Sequence, residues 1–147
     1  MKKHEIKTER TINASMTEVM KVLLDSGTYQ EWNPFVSKVE GSFDEDQFIK
    51  ITVSPPNSSK MIFKPKVLKV SENEIRWKGK LFIEGMFDGE HYFKLIPISE
   101  NRTRIIHGEV FSGFLVPLFS GTLKNTEKGF ELMNEALEKR VLSMLKL

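Results

Sequence analysis

His91, His107 and Glu109 are the residues whose types and spacing could do chemistry. His107 and Glu109 stand two apart, so in an extended segment they share one face. A hairpin centred near Asn101 sets His91 across from His107 or Glu109, within reach of a side-chain contact. Two imidazoles and a carboxyl in one place admit four readings. Glu109 orients a histidine that moves a proton, as general acid–base catalysis requires. Alternatively, the three are the few polar groups that fix a mainly hydrophobic ligand. They can equally be a polar patch that satisfies itself, because a buried carboxylate is costly without a hydrogen-bond partner. A metal is the fourth reading, but the spacing lacks a recognised signature, and neither metal nor cofactor is expected. The remaining histidine, His4, is expected at a frayed start, and no Gly-rich phosphate loop or nucleophile elbow is present.

Strands must position this trio, and the chain supplies them. A first strand is expected from His4 to Asn13. Ser15-Met16-Thr17-Glu18 then reads as a capping box opening a helix whose apolar side is Val19, Met20, Val22, Leu23 and Leu24, with Gly27 as its end. A short turn or helix from Tyr29 to Trp32 closes at Asn33-Pro34. Strands follow at Phe35–Phe43, Gln47–Ser54, Met61–Val70, Ile75–Leu81, Glu90–Pro97 and Thr103–Ser112, separated by turn chemistry at roughly ten-residue spacing, as in an antiparallel meander. From about Ser120 the period changes. Phe119, Leu123, Thr126, Phe130, Met133, Leu137, Val141 and Met144 step by three and four, the stripe of a long amphipathic helix. A helix of some 25 residues spans ~37 Å at 1.5 Å per residue, enough to cross the whole sheet.

Alternation along the strands sorts their faces. With Arg102 and Arg104 in water, Ile105, His107, Glu109 and Phe111 turn inward. With Glu90, Tyr92 and Lys94 outside, His91, Phe93 and Leu95 turn inward. Arg76, Lys78 and Lys80 outside leave Ile75, Trp77, Gly79 and Leu81 inside, with Gly79 leaving room as a cavity wall would. Trp32 reads as both core lid and pocket wall, with Tyr29 nearer water. The apolar stretch from Phe111 to Phe119 reads as a buried crossover, or as a gate or an exposed dimerisation patch.

The chain has 147 residues, a net charge of +2 and no cysteine, so disulfides, thiol nucleophiles and thiolate metal sites are excluded. The length fits a single domain over residues 1–147 with a sizeable core. MKKHEIKTER has no apolar run behind its basic residues, so no signal peptide is read there. No apolar stretch approaches the ~18 residues of a membrane span, and a cytoplasmic location is expected. Residues 60–80 are rich in lysine, which reads as a solvated outer sheet face. Nucleic acid is not an expected partner, since bases would also need exposed aromatics to stack on.

Several words in this order carry a resemblance. They are Glu18-Val19-Met20 through Trp32-Asn33-Pro34-Phe35, then Arg76-Trp77-Lys78-Gly79, then Gly89-Glu90-His91-Tyr92-Phe93. Thr103-Arg104 leads on to Gly108-Glu109-Val110-Phe111-Ser112-Gly113, and Gly129-Phe130 to Met133-Asn134 with Leu137. Together they resemble the START-like, or SRPBCC, superfamily over nearly the full length, most closely its small bacterial members. The resemblance implies an α+β helix-grip fold: a curved antiparallel sheet of about six or seven strands around a long C-terminal helix, with short helices after strand 1. It also implies an internal cavity for a small hydrophobic molecule such as a lipid or polyketide; a monomer or weak homodimer is expected. Its alternatives are a cyclase or dehydratase using His91, His107 and Glu109, and an interaction module that stimulates a chaperone ATPase through the outer basic strip. Expected ligand contacts are Trp32, Phe35, Trp77, His91, Phe93 and His107, together with Glu109, Phe111, Phe114, Phe130 and Met133.

Overall fold

In the computed structural model, which describes residues 3–81 and 83–146, eight antiparallel strands and three α-helices follow the expected order. β1 (Lys3–Ile12) leads into α1 (Met16–Leu24), a 3-10 turn (Ser26–Thr28) and α2 (Tyr29–Trp32). The Ser15 hydroxyl accepts from the Glu18 amide at 3.1 Å and the Glu18 carboxylate accepts from the Ser15 amide at 3.2 Å, the reciprocal cap the sequence specifies. Asp25, not Gly27, closes α1, and its amide bonds back to the Val22 carbonyl. β1 begins at Lys3 with His4 already in register with Phe111, so His4 is tied into the sheet rather than frayed.

β2 (Val36–Glu40), β3 (Lys50–Val53) and β4 (Met61–Phe63) form a small sheet. β5 (Lys66–Val70), β6 (Glu74–Leu81), β7 (Phe87–Ser99) and β8 (Arg102–Ser112) join β1 in a five-stranded sheet of order β1-β8-β7-β6-β5. The segment Met61–Val70, expected as one strand, is therefore two. Pro65 has no amide to continue a ladder and pushes Lys64 out of regular geometry, so the chain steps there from one sheet to the other. The step is stitched by the Ile49 amide donating to the Pro65 carbonyl at 3.0 Å and the Val67 amide to that of Gln47 at 2.8 Å. A 3-10 turn (Val116–Phe119) opens α3 (Ser120–Leu145), which packs on β1, β8 and α1.

The α3 stripe builds the core: Leu123, Phe130, Met133, Leu137 and Val141 are all buried, while Met144 in the last turn is exposed. Where α3 meets the start of β2, Gly129 lies under the Phe35 ring, and a methyl group there would stand 2.3 Å from Cδ1. Gly129→Ala is expected to destabilise the fold by about 1–3 kcal/mol through overpacking, despite the better helix propensity of alanine. A urea midpoint that is unchanged or raised would show the Phe35 ring free to move aside.

Candidate functional site

β7 and β8 set the site by their register. His91 pairs directly with Glu109, and Phe93 with His107. His91 Nδ1 lies 3.2 Å from Glu109 Oε1, and its Nε2 lies 2.7 Å from His107 Nε2. His107 Nδ1 continues to Asn134 Oδ1 on α3 at 2.8 Å. The Asn134 amide nitrogen donates to the Thr8 hydroxyl of β1 at 2.8 Å, and that hydroxyl donates to the His107 carbonyl, also at 2.8 Å. Five side chains from three strands and one helix thus make a single line of hydrogen bonds.

Aromatic rings sandwich the line. His91 stacks on Trp77 at 4.5 Å, and Trp77 stacks in turn on Phe43 at 5.5 Å. His107 lies between Phe93 at 4.4 Å and Phe130 at 4.2 Å. Removal from water disfavours every charged form here. Burial pushes His91 down to about 3 and the Glu109 carboxyl up to about 8. Burial, with His91 beside it, holds His107 well below its ordinary value. At neutral pH both histidines are uncharged and Glu109 keeps its proton. The paired nitrogens of His91 and His107 point at each other, and among the described residues no three His, Cys, Asp or Glu groups converge to hold a metal ion.

A cavity of about 300 Å³ opens between the small sheet, β6–β8 and the first turns of α3. Of the residues expected to meet a ligand, Phe35, Trp77, His91, Glu109 and Phe111 lie on its wall. Phe93, His107, Phe130 and Met133 are fully buried behind that wall. His107 therefore cannot touch a molecule in the cavity except through His91. Gly79 is on the wall, as its place between large residues suggested; the inward direction expected for Leu81 falls on a side chain outside the described set.

Three expectations are corrected. Tyr29 is the buried ring and Trp32 the half-buried one: the Tyr29 hydroxyl donates to the Leu23 carbonyl, and Trp32 packs 5.1 Å from Tyr29, away from the cavity. Tyr29 and Trp32, three apart in the single turn α2, lie on one side of it, and neither lines the cavity; a tyrosine can be buried once its hydroxyl has a partner. Phe114 is 67% exposed. Gly113, at φ +119° and packed against the Met86 carbonyl, reverses the chain, turning Phe114 outward while Val116 is buried and Phe119 reaches the cavity. Tyr92 does point to the outer face but is covered there: its hydroxyl donates to Glu5 at 2.7 Å, and the Arg76 guanidinium lies 4.8 Å over its ring. Arg76 also pairs with Glu74 and Glu90, whereas Lys78 and Lys80 of the same strip are exposed.

Sequence reading missed the cavity walls contributed by the small sheet: Val36, Ile51, Val53, Met61 and Phe63. Short strands with mixed faces gave no reason to assign them. It also missed Thr8 and Asn134 as partners of the trio. A signal existed for Asn134: it stands four residues after Phe130 and three before Leu137, a polar residue on the buried stripe.

A family model described as polyketide cyclase/dehydrase and lipid transport matches residues 3–143. No curated protein matches the sequence. Among solved structures, the chain is similar to the ZhuI aromatase/cyclase of Streptomyces sp. R1128, with a TM-score of 0.80 at 12% identity over 98% of this chain and 96% of that one. A START superfamily protein from Mycobacterium smegmatis gives 0.75 at 19% identity, over 96% and 99%. Norcoclaurine synthase from Thalictrum flavum, solved with dopamine and hydroxybenzaldehyde, gives 0.71 at 15% identity, over 97% and 88%. At such identities the likeness is one of fold. It agrees with the sheets and long C-terminal helix described above.

Proposed function

The chain belongs to the polyketide cyclase/dehydrase and lipid transport family, within the START-like, or SRPBCC, superfamily, and from that membership we propose that it binds a small, mainly hydrophobic molecule in the cavity between its two sheets and α3. The observation that carries this reading is the cavity itself. Its volume of about 300 Å³ matches the small end of ligand pockets. Its inner wall is mostly aliphatic and aromatic, with the hydrogen-bonded pair His91 and Glu109 among its few polar groups. Such a site suits a carrier or a sensor. Among the described residues no helix is long and apolar enough to cross a membrane.

The test is native mass spectrometry of the protein purified from its own host, followed by denaturation and analysis of what is released. The expected result is one apolar molecule per chain, absent from Gly79→Leu. Gly79 is on the cavity wall with only ordinary contact to Pro65 at 3.5 Å, so leucine there fills space rather than breaking the fold. An empty protein that stays empty when offered fatty acids, flavonoids and polyketide mimics would overturn the reading.

A second reading, turnover by a cyclase or dehydratase, has one observation in its favour. Glu109 is a carboxyl poised at about 8, on the cavity wall and beside a neutral imidazole. That is an acid able to give and retake a proton near neutral pH. The aromatase/cyclase and the norcoclaurine synthase named above share the fold on which it would act. Glu109→Gln separates the two readings, because glutamine keeps the shape and the hydrogen bond but cannot transfer a proton. Binding without turnover in both forms supports the carrier. A reaction abolished by this substitution supports the enzyme.

A further inference from the structure

The line from Thr8 to Glu109 has a fixed direction, and the direction says what the cavity can recognise. A hydroxyl facing a carbonyl must donate, so Thr8 donates to the His107 carbonyl. Its oxygen is then free to accept the Asn134 N–H. That places the Asn134 carbonyl oxygen against His107 Nδ1, which must carry a proton. In a neutral imidazole the other nitrogen is bare, so His107 Nε2 accepts from His91 Nε2–H. His91 Nδ1 is bare in turn, and Glu109 Oε1 must be the O–H that donates to it. With both imidazoles neutral, reversing one link leaves two acceptors or two donors face to face unless every link reverses. Asn134 would then have to flip, and Thr8 would have to abandon the His107 carbonyl.

The consequence lies at the cavity end. Oε1 carries the proton and is committed to His91. Oε2 is the carbonyl oxygen, and it lies over Gly89, where a methyl group would stand 2.1 Å away. Both Gly89 and Glu109 are on the cavity wall. The polar group that this line presents to the cavity is thus an uncharged acceptor. Resting on the cavity-binding reading, we propose that the bound molecule presents a neutral hydroxyl, of a phenol or an alcohol, to Glu109 Oε2, and that Thr8 and Asn134 are positioning residues that set this preference. An ether or ketone offers no proton and leaves Oε2 unpaired. A carboxylate sets its lone pairs against those of Oε2, and Lys80, the cation on the cavity lining, is exposed at its rim. An ammonium group would bury a charge beside an uncharged partner.

The experiment compares four probes of one shape at pH 7: 2-naphthol, 2-methoxynaphthalene, naphthalene and 2-naphthoate, with affinities measured by calorimetry. A neutral hydrogen bond of ordinary strength predicts 2-naphthol about five- to tenfold tighter than 2-methoxynaphthalene, and 2-naphthoate weaker than either. Glu109→Gln should keep the hydroxyl preference, because its amide N–H₂ replaces the O–H toward His91 and its carbonyl replaces Oε2. Glu109→Leu should abolish it. Thr8→Val and Asn134→Ala, which unlock the direction, should shrink the naphthol-to-methoxynaphthalene ratio while naphthalene binds as before. A purely structural loss would weaken all the probes together and leave the ratio intact. Equal affinities for naphthol and its methyl ether, a preference for naphthoate, or loss of the preference in Glu109→Gln would overturn the proposal and leave cavity binding standing. Failure of naphthalene and all three derivatives to bind would overturn both.

Discussion

Phe130→Ala should cost about 3–5 kcal/mol, within the range for deleting a fully buried phenylalanine. The ring is inaccessible to solvent and serves three neighbours at once. It stacks on His107 at 4.2 Å with the planes 11° apart, meets the Phe35 ring edge-on at 5.3 Å and lies 4.9 Å from His91. Its loss adds a second cost to the empty volume, because it is the lid that keeps water from one face of the His107 ring. Leucine at this position restores most of the volume without the flat face, so Phe130→Leu should lie between wild type and alanine. Urea unfolding followed by tryptophan fluorescence measures both. A loss below about 1 kcal/mol for alanine would mean that α3 settles into the gap, and that the ring is not the element holding the histidine pair in place.

The chemical centre was legible in the sequence because strand alternation is strict. Arg102 and Arg104 had to face water, and that alone turned His107 and Glu109 to the same side. A turn near Asn101 then fixed which residues of β7 face them, and His91 and Glu109 are register partners. The long helix was legible for a similar reason, since its period of three and four persists for six turns. What stayed hidden depends on contacts between segments far apart in the chain. Thr8 and Asn134 are 126 positions apart; the buried stripe of α3 marks Asn134 as a polar residue that needs a partner, but nothing local says that the partners are His107 and Thr8. The split at Pro65 could have been read from the proline alone, but not the destination of each half. Tyr29 and Phe114 failed for a different reason. A single helical turn and a loop around Gly113 carry no period, so the direction of a ring there is set by the packing that surrounds it.

Stability should peak near pH 6.5 and fall on both sides, with the acid side the steeper. The sign follows from which state binds more protons. His91 and His107 are held below their ordinary 6.5 in the folded protein, so their contribution is present above that pH and is lost as pH falls. Glu109 is raised from its ordinary 4.5 to about 8, so its contribution is present below 4.5 and is lost as pH rises through 8. Each unmatched proton changes the unfolding free energy by about 1.4 kcal/mol per pH unit. Between pH 6.5 and 8 only Glu109 is unmatched, and stability declines by about that slope as pH rises. Between 6.5 and 4.5 the unfolded chain gains two histidine protons while the folded one keeps an extra carboxyl proton, so one net proton gives a similar slope in the opposite direction. Below 4.5 the carboxyl no longer offsets the histidines, and the loss steepens to about 2.7 kcal/mol per unit. Glu74, held below its ordinary value by Arg76 and Lys69 against the opposing effect of burial, adds to the acid side. Urea titrations of wild type and Glu109→Gln from pH 4 to 8.5 isolate the carboxyl. Relative to the variant, wild type should lose about 1.4 kcal/mol per unit as pH rises from 4.5 to 8, and the variant's acid limb should start its steep slope already at 6.5. A flat difference between the two would mean that Glu109 titrates as it does in the unfolded chain. A difference of the opposite sign would mean that it is buried ionised against a charged His91, which would turn the His91–Glu109 hydrogen bond around and leave the line from His91 Nε2 to Thr8 as it is.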